Sequence, residues 1–346
     1  MATSQAGKHY PRSLGEFQAW FRTDADCLDY LEWLRWPDGF VCPDCGHAGG
    51  WRLGDGRVEC PACGERTSPT AGTIFDRTRT PLTVWFTACW LFASQKDGIS
   101  ALSLKRQLEI GSYQTAWAIL HRLRSVLVRP GRERLAGEVE VDESYFGGEE
   151  PGLRGGRQKG KKVLVGIAVE RREPTGFGRC RMTPLPRASA EALRAFLLDH
   201  VEPGARVITD GWGPYAQATT GLYAHDPIPG ASGPEAHKLL PGSHKVSSLA
   251  KRWLLGTHQG SVDDAHLPGY LNEFVFRFNR RRSRSRGLVF YRVLELAVRH
   301  DPVRYRDLIA NPRPGTVSRR PPGTRGSPPS MQRPRAARPW RATEAG

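Results

Sequence analysis

The sequence predicts an α/β protein centred on a mixed β-sheet, preceded by a small cysteine-rich module and a three-helix segment. Three observations carry this expectation. From Glu138 onward the apolar period becomes strand-like, with runs at Glu138–Asp142, Val163–Glu170, Gly178–Pro184 and Arg206–Asp210. One helical stretch, Ala188–His200, interrupts them. Upstream, four of the seven cysteines fall into two CxxC pairs, and residues 80–133 carry helical periodicity.

At 346 residues the chain is long enough for several domains. It divides into a helical lead-in (1–37), the cysteine module (38–79), a helical segment (80–133), the sheet domain (134–310) and a tail (311–346). The tail is rich in Pro, Arg, Gly and Ser, the composition of disordered chain. The formal net charge of +16 favours a polyanionic partner, nucleic acid first. The longest apolar stretch, Val84 to Ala93, is too short to span a bilayer. The opening MATSQAGKHYPRS has no apolar signal core, so a cytoplasmic protein with no membrane role is expected. Clustered cysteines in odd number argue for a metal site in a reducing compartment, not a disulfide framework.

In the cysteine module, Phe40-Val-Cys42-Pro-Asp-Cys45-Gly46-His47 is echoed by Val58-Glu-Cys60-Pro-Ala-Cys63-Gly64. That is the knuckle pattern of a zinc ribbon, in which Cys42, Cys45, Cys60 and Cys63 converge on one structural Zn²⁺. Gly46 and Gly64 let the chain bend behind each pair. Trp51, Arg52 and Leu53 read as strand between the knuckles, and His47 reads as a bystander.

Leu82–Gln95 is apolar almost all round and reads as a buried helix. A short helix through Leu108 follows with Ser100 as its N-cap, then the turn Glu109-Ile-Gly111, then a third helix over Ser112–Val128. Three helices with a glycine-bearing turn before the last resemble a helix-turn-helix. Tyr113 and Gln114 then stand where a recognition helix meets base edges, while Ala116, Ile119, Leu120, Leu123 and Leu127 form its packing stripe. A plain supporting bundle is the alternative.

In the sheet domain, Asp142 and Asp210 each close an apolar run and precede glycine and aromatic residues that turn the chain. Three strands, a helix and another strand is the order of a ribonuclease-H-like core. In that order the first and fourth strands lie side by side and bring the two acids together. Carboxylates so close repel and shift their pKa values unless a cation sits between them. Mg²⁺ or Mn²⁺ suits oxygen ligands, and the chemistry is then two-metal phosphoryl transfer. The basic, glycine-rich stretch Gly147–Lys162 and the Gly/Pro/His-rich stretch 224–243 read as loops. Arg277, Arg280, Arg281 and Arg282, after an amphipathic helix, read as phosphate contacts, with Phe276 and Phe278 in the core.

A zinc ribbon, a helical segment, VEVDESYFGG, VITDGWGPY and HLPGYLNEFVFRFNRR together resemble the bacterial insertion-sequence transposases of the DDE superfamily, the group with an ISXO-type DDE domain behind a zinc ribbon. The resemblance spans roughly residues 12–310. It implies binding to the terminal inverted repeats of double-stranded DNA, hydrolysis exposing 3′-hydroxyl ends, strand transfer into target DNA, and a homo-oligomer on the DNA. Asp142 and Asp210 match the first two metal-binding acids, and Lys251 a lysine common beyond the third. At the expected third position this sequence has Leu249, which cannot coordinate a cation. Ser248, His244 or Glu273 would have to substitute, and the alternatives to a transposase are a catalytically decayed DNA-binding copy or a metal-dependent nuclease on the same fold.

Overall fold

The computed structural model describes residues 4–147, 162–172, 174, 176–228, 236–259 and 262–310. Most of the predicted 147–162 loop and the 311–346 tail lie outside the described residues. The chain forms two compact units: one runs to Val126 and resumes at Ser283, and the other is Leu127–Arg282. Among the described residues no helix is long and apolar enough to cross a membrane.

The first unit begins with α1 (Leu14–Trp20) and α2 (Asp24–Arg35). Each starts on a hydroxyl cap: Ser13 accepts from Glu16 N–H, and Thr23 forms a reciprocal capping box with Asp26. Three two-residue antiparallel strands follow, β1 (Trp51–Arg52), β2 (Val58–Glu59) and β3 (Arg66–Thr67). Then come α3 (Leu82–Ser94), α4 (Ala101–Gln107) and α5 (Tyr113–Ser125). Ser100 and Ser112 cap α4 and α5, and Glu109 at φ 51° makes the left-handed turn between them. α3 buries Trp85, Phe86, Trp90 and Phe92, as its all-round apolarity requires.

The second unit is built on a five-stranded mixed sheet. Its strands are β4 (Glu138–Phe146), β5 (Val163–Arg171), β6 (Phe177–Pro184), β7 (Arg206–Thr209) and β8 (Ala224–Pro227), ordered β6-β5-β4-β7-β8. β4, β5 and β6 form an antiparallel meander; β7 and β8 add in parallel beyond β4. This is the ribonuclease-H-like arrangement that the strand order predicts. α6 (Ala190–His200) and α7 (Pro214–Thr219) cover one face, where Val139, Val141, Leu164, Leu193, Phe196 and Tyr215 share a core. After α8 (Ala236–Leu239), α9 (Pro241–His258) and α10 (Leu267–Asn279) cover the other, where Val165, Ile167, Val169, Val246, Leu271 and Phe274 meet. Strand alternation sorts the two sets. Gly166 sits under α6, where a Cβ would lie 3.1 Å from the Phe196 ring, so glycine permits that close approach.

Two boundaries differ from expectation. The stretch 224–243, read as loop, holds β8 and α8 and opens α9, because β8 pairs in parallel with β7 despite a mostly polar sequence. α11 (Arg286–Ala297) lies inside the expected 134–310 domain but packs in the first unit, with Phe290 against Phe86 and Trp90 of α3. α12 (Tyr305–Ile309) belongs there too, its Tyr305 ring set edge-on to Trp117 of α5.

Candidate functional site

In the first unit the two CxxC turns are built alike. Gly46 N–H donates to Cys42 O and Gly64 N–H to Cys60 O, both at 2.9 Å, and both glycines take φ near 75°, at 75° and 73°. A residue with a Cβ would be strained there. The knuckles bring all four sulfurs within 4.8 Å of one another, with Cys42–Cys63 and Cys45–Cys60 each at 3.6 Å. Tetrahedral Zn–S bonds place sulfurs roughly 3.8 Å apart, so the donor set fits zinc in chemistry and spacing. His47 is not among the grouped ligands.

In the second unit β4 alternates Glu138-Val-Glu140-Val-Asp142, so its valines enter the core and its acids share the opposite face. β4 pairs with β7 at Val139↔Val207 and Glu140↔Ile208. Continued by two residues, that register sets Asp142 across from Asp210, the residue after β7. Asp142 does not end its own strand, since β4 runs on to Phe146. β7 is the strand that stops, at Thr209, while β4 runs on past Asp142. Asp210 turns the chain there, accepting Trp212 N–H at 2.9 Å, with Gly211 at φ 76°.

Burial, then the Glu143 and Asp210 charges, push the Asp142 carboxyl up to about 7. A divalent cation is the partner that relieves such a pair. Glu143, on the other face of β4, accepts from the buried Tyr215 hydroxyl.

α9 supplies the third side. Glu140 is fully buried, and its Oε2 accepts Gly242 N–H at 2.7 Å and Ser243 N–H at 3.0 Å, while Arg171 Nε donates to Oε1 at 2.7 Å. A carboxylate at a helix N-terminus also complements the helix dipole. Docked this way, α9 sets His244 Nε2 3.8 Å and Ser243 Oγ 3.5 Å from Asp142 Oδ2. Two turns on, Lys251 Nζ donates to Ser144 Oγ at 2.7 Å. Leu249 points elsewhere, packed against the core that holds Val246 and Leu254. The position expected to lack a ligand therefore does not face the acids, and His244 does. Helical geometry decides this: 244 and 249 lie about 140° apart around the axis.

The stretches that hold these acids and cysteines have counterparts among known proteins. Residues 134–279 match the ISXO2-like transposase domain, and residues 22–66 match the transposase zinc-ribbon domain. Two stretches of the chain are thus similar to domains of transposases, a zinc ribbon followed by an ISXO2-like domain. A protein in transposable element ISH50 of Halobacterium salinarum is 28% identical over 284 residues, covering 74% of this chain and 91% of the relative.

Within the second unit, α10 lies over β6, where Asn279 clamps the Cys180 backbone through Cys180 N–H at 2.7 Å and Cys180 O at 3.1 Å. β6 is two strands out from β4, and the fully buried Glu273 carboxylate on α10 is engaged by Arg277 Nε at 2.9 Å. Glu273 is thus a buried ion-pair member on the helix over β6, and Arg277 is its counter-ion, not an open phosphate contact. Arg280 lies 3.7 Å over Phe276, and Arg281 lies 3.9 Å over Phe278 while donating to Gly178 O and Phe177 O. Arg282 is exposed. In the unit that carries the ribbon, Tyr113 and Gln114 are exposed at the start of α5. Sequence reasoning missed Glu140, Ser243 and Ser144, although the alternating acids of β4 already marked one polar face.

Proposed function

We propose that this protein is the transposase of an insertion element, binding the terminal inverted repeats, cleaving the strand to expose a 3′-hydroxyl, and joining that end to target DNA. One observation carries the reading: the parallel β4/β7 register sets Asp142 across from Asp210, with His244 of α9 3.8 Å from Asp142. Asp142, Asp210 and His244 would hold Mg²⁺ or Mn²⁺, which supplies activation of the attacking oxygen and stabilisation of the leaving one. Ser243 steadies the Asp142 carboxylate, Glu140 holds α9 in place, and Lys251 offers a cation beside β4 for a DNA phosphate. The four-cysteine ribbon is structural, with zinc, and α5 presents Tyr113 and Gln114 to the duplex. Joining two element ends calls for a homo-oligomer on the DNA. Leu249 does not argue for decay, because it faces the core and His244 offers a nitrogen donor in its place.

A labelled terminal-repeat duplex with Mg²⁺ or Mn²⁺ tests the reading. Nicking and strand joining are expected from the wild type, and neither from Asp142→Asn or Asp210→Asn. Binding without nicking would leave a DNA-binding protein, and nicking without joining would leave a nuclease.

A further inference from the structure

The first unit holds a cavity of about 370 Å³ between the 76–80 segment, α5 and α12, with Arg77, Arg79, Arg122, Gln114, Thr115 and Tyr305 among its lining residues. Its segment is fastened from behind. Asp76 takes Arg304 NH2 at 2.8 Å and Gly72 N–H at 3.2 Å, so its charge is neutralised. Thr78 Oγ1 accepts from the Trp85 indole at 2.9 Å and from Thr80 N–H at 3.1 Å. The side chains of Arg77 and Arg79 are exposed, and among the described residues they have no hydrogen bond or ion pair. Arg77 also takes φ 54°, a conformation that costs a non-glycine residue energy and persists only where its surroundings impose it. Arg122 is held by Val303 O at 2.7 Å, and burial and Arg304 lower its pKa, so the back wall is rich in positive charge with one compensated acid.

We propose that this cavity is a phosphate clasp for the backbone of duplex DNA, with Arg77 and Arg79 gripping a strand beside the one that α5 reads. It rests on the transposase reading and names a partner site there. The segment beneath these two guanidiniums is braced, so binding a phosphate orders two side chains but little new backbone. Gln114, which lines the cavity, is also one of the two exposed residues at the head of α5, so a strand held in the clasp runs past that helix. Phosphate contacts of this kind set register and carry no sequence information.

The test is the salt dependence of duplex binding by the full chain, read by fluorescence anisotropy on a mixed-sequence labelled duplex. For Arg77→Gln/Arg79→Gln the slope of log K against log salt should fall by about 1 for each arginine. Thermal unfolding should not change, because neither side chain makes a bond among the described residues. Arg22→Gln removes an exposed charge elsewhere in the same unit and should lower the slope less. An unchanged slope, or an equal drop per charge in Arg22→Gln, overturns the clasp, as does a loss confined to single-stranded probe. Saturable competition by millimolar inorganic phosphate, lost in the double variant, would overturn it in favour of a free-phosphate site. Asp142-dependent nicking with an unchanged slope fails the clasp alone, whereas no duplex binding by the wild type fails both readings.

Discussion

Glu140 Oε2 accepts the backbone N–H of Gly242 at 2.7 Å, so a carboxylate in the centre of the sheet holds the first turn of the helix that faces the two aspartates. There is no room for a side chain at that contact. A Cβ on residue 242 would lie 2.8 Å from Glu140 Oε2 and 2.9 Å from the Phe177 ring.

Gly242→Ala should therefore shift the start of α9 and cost about 1–3 kcal/mol, the usual range for overpacking. Because His244 moves with α9, Mn²⁺ should raise the melting temperature less than in the wild type. An unaltered Mn²⁺-induced shift would show that α9 is not positioned by this contact.

His244 and Leu249 separate by the property each one changes. His244→Ala should weaken Mn²⁺ binding at least about tenfold with little loss of stability. Leu249→Ala should cost about 1–2 kcal/mol through lost apolar contact and leave Mn²⁺ binding intact. Calorimetric titration with Mn²⁺ alongside denaturant unfolding reads both, and unchanged Mn²⁺ binding in His244→Ala would remove His244 from the metal site.

Arg277 pairs with a fully buried carboxylate, so its loss removes a counter-ion from a buried charge. Arg277→Ala should destabilise the chain by roughly 3–5 kcal/mol and leave the salt slope of DNA binding nearly unchanged. Arg282→Gln should do the reverse, since Arg282 is exposed. A large fall in slope for Arg277→Ala at unchanged stability would restore it as a phosphate contact.

His200 gives a pH signature away from the acids. It is buried beneath the sheet with Nε2 2.7 Å from Thr183 Oγ1; burial, then Arg132 and Arg181, lower its pKa from 6.5 to about 4. The unfolded chain takes up this proton near pH 6.5 and the folded chain near pH 4, so the unfolded state binds more protons between them. Stability present above pH 6.5 is lost as pH falls through that window. His200→Gln should flatten the decline in melting temperature between pH 6.5 and 4. A wild-type slope in the variant would place the proton uptake elsewhere.

Much of the architecture was open to the sequence because local rules decide it. CxxC-Gly knuckles require four convergent sulfurs, strand alternation puts Glu138, Glu140 and Asp142 on one face, and hydroxyl caps mark the starts of α4 and α5. β8 and α8 were not legible, since their residues lack apolar periodicity and hold shape through pairing with β7 and packing beside α9. The pairing of Arg277 with Glu273 was hard to read for a related reason: an arginine-rich run looks the same whether its members face solvent or a buried acid.

By itself the sequence determined the zinc-ribbon donors, the order of strands and the two acids that the order brings together, because each follows from residue type and spacing along a short stretch. Tertiary structure alone decided which residue of α9 lies beside Asp142. That choice depends on the rotation of α9 about its axis. The rotation is set by Glu140, which holds Gly242 and Ser243 from a strand roughly a hundred residues earlier, and by the core that draws Leu249 inward.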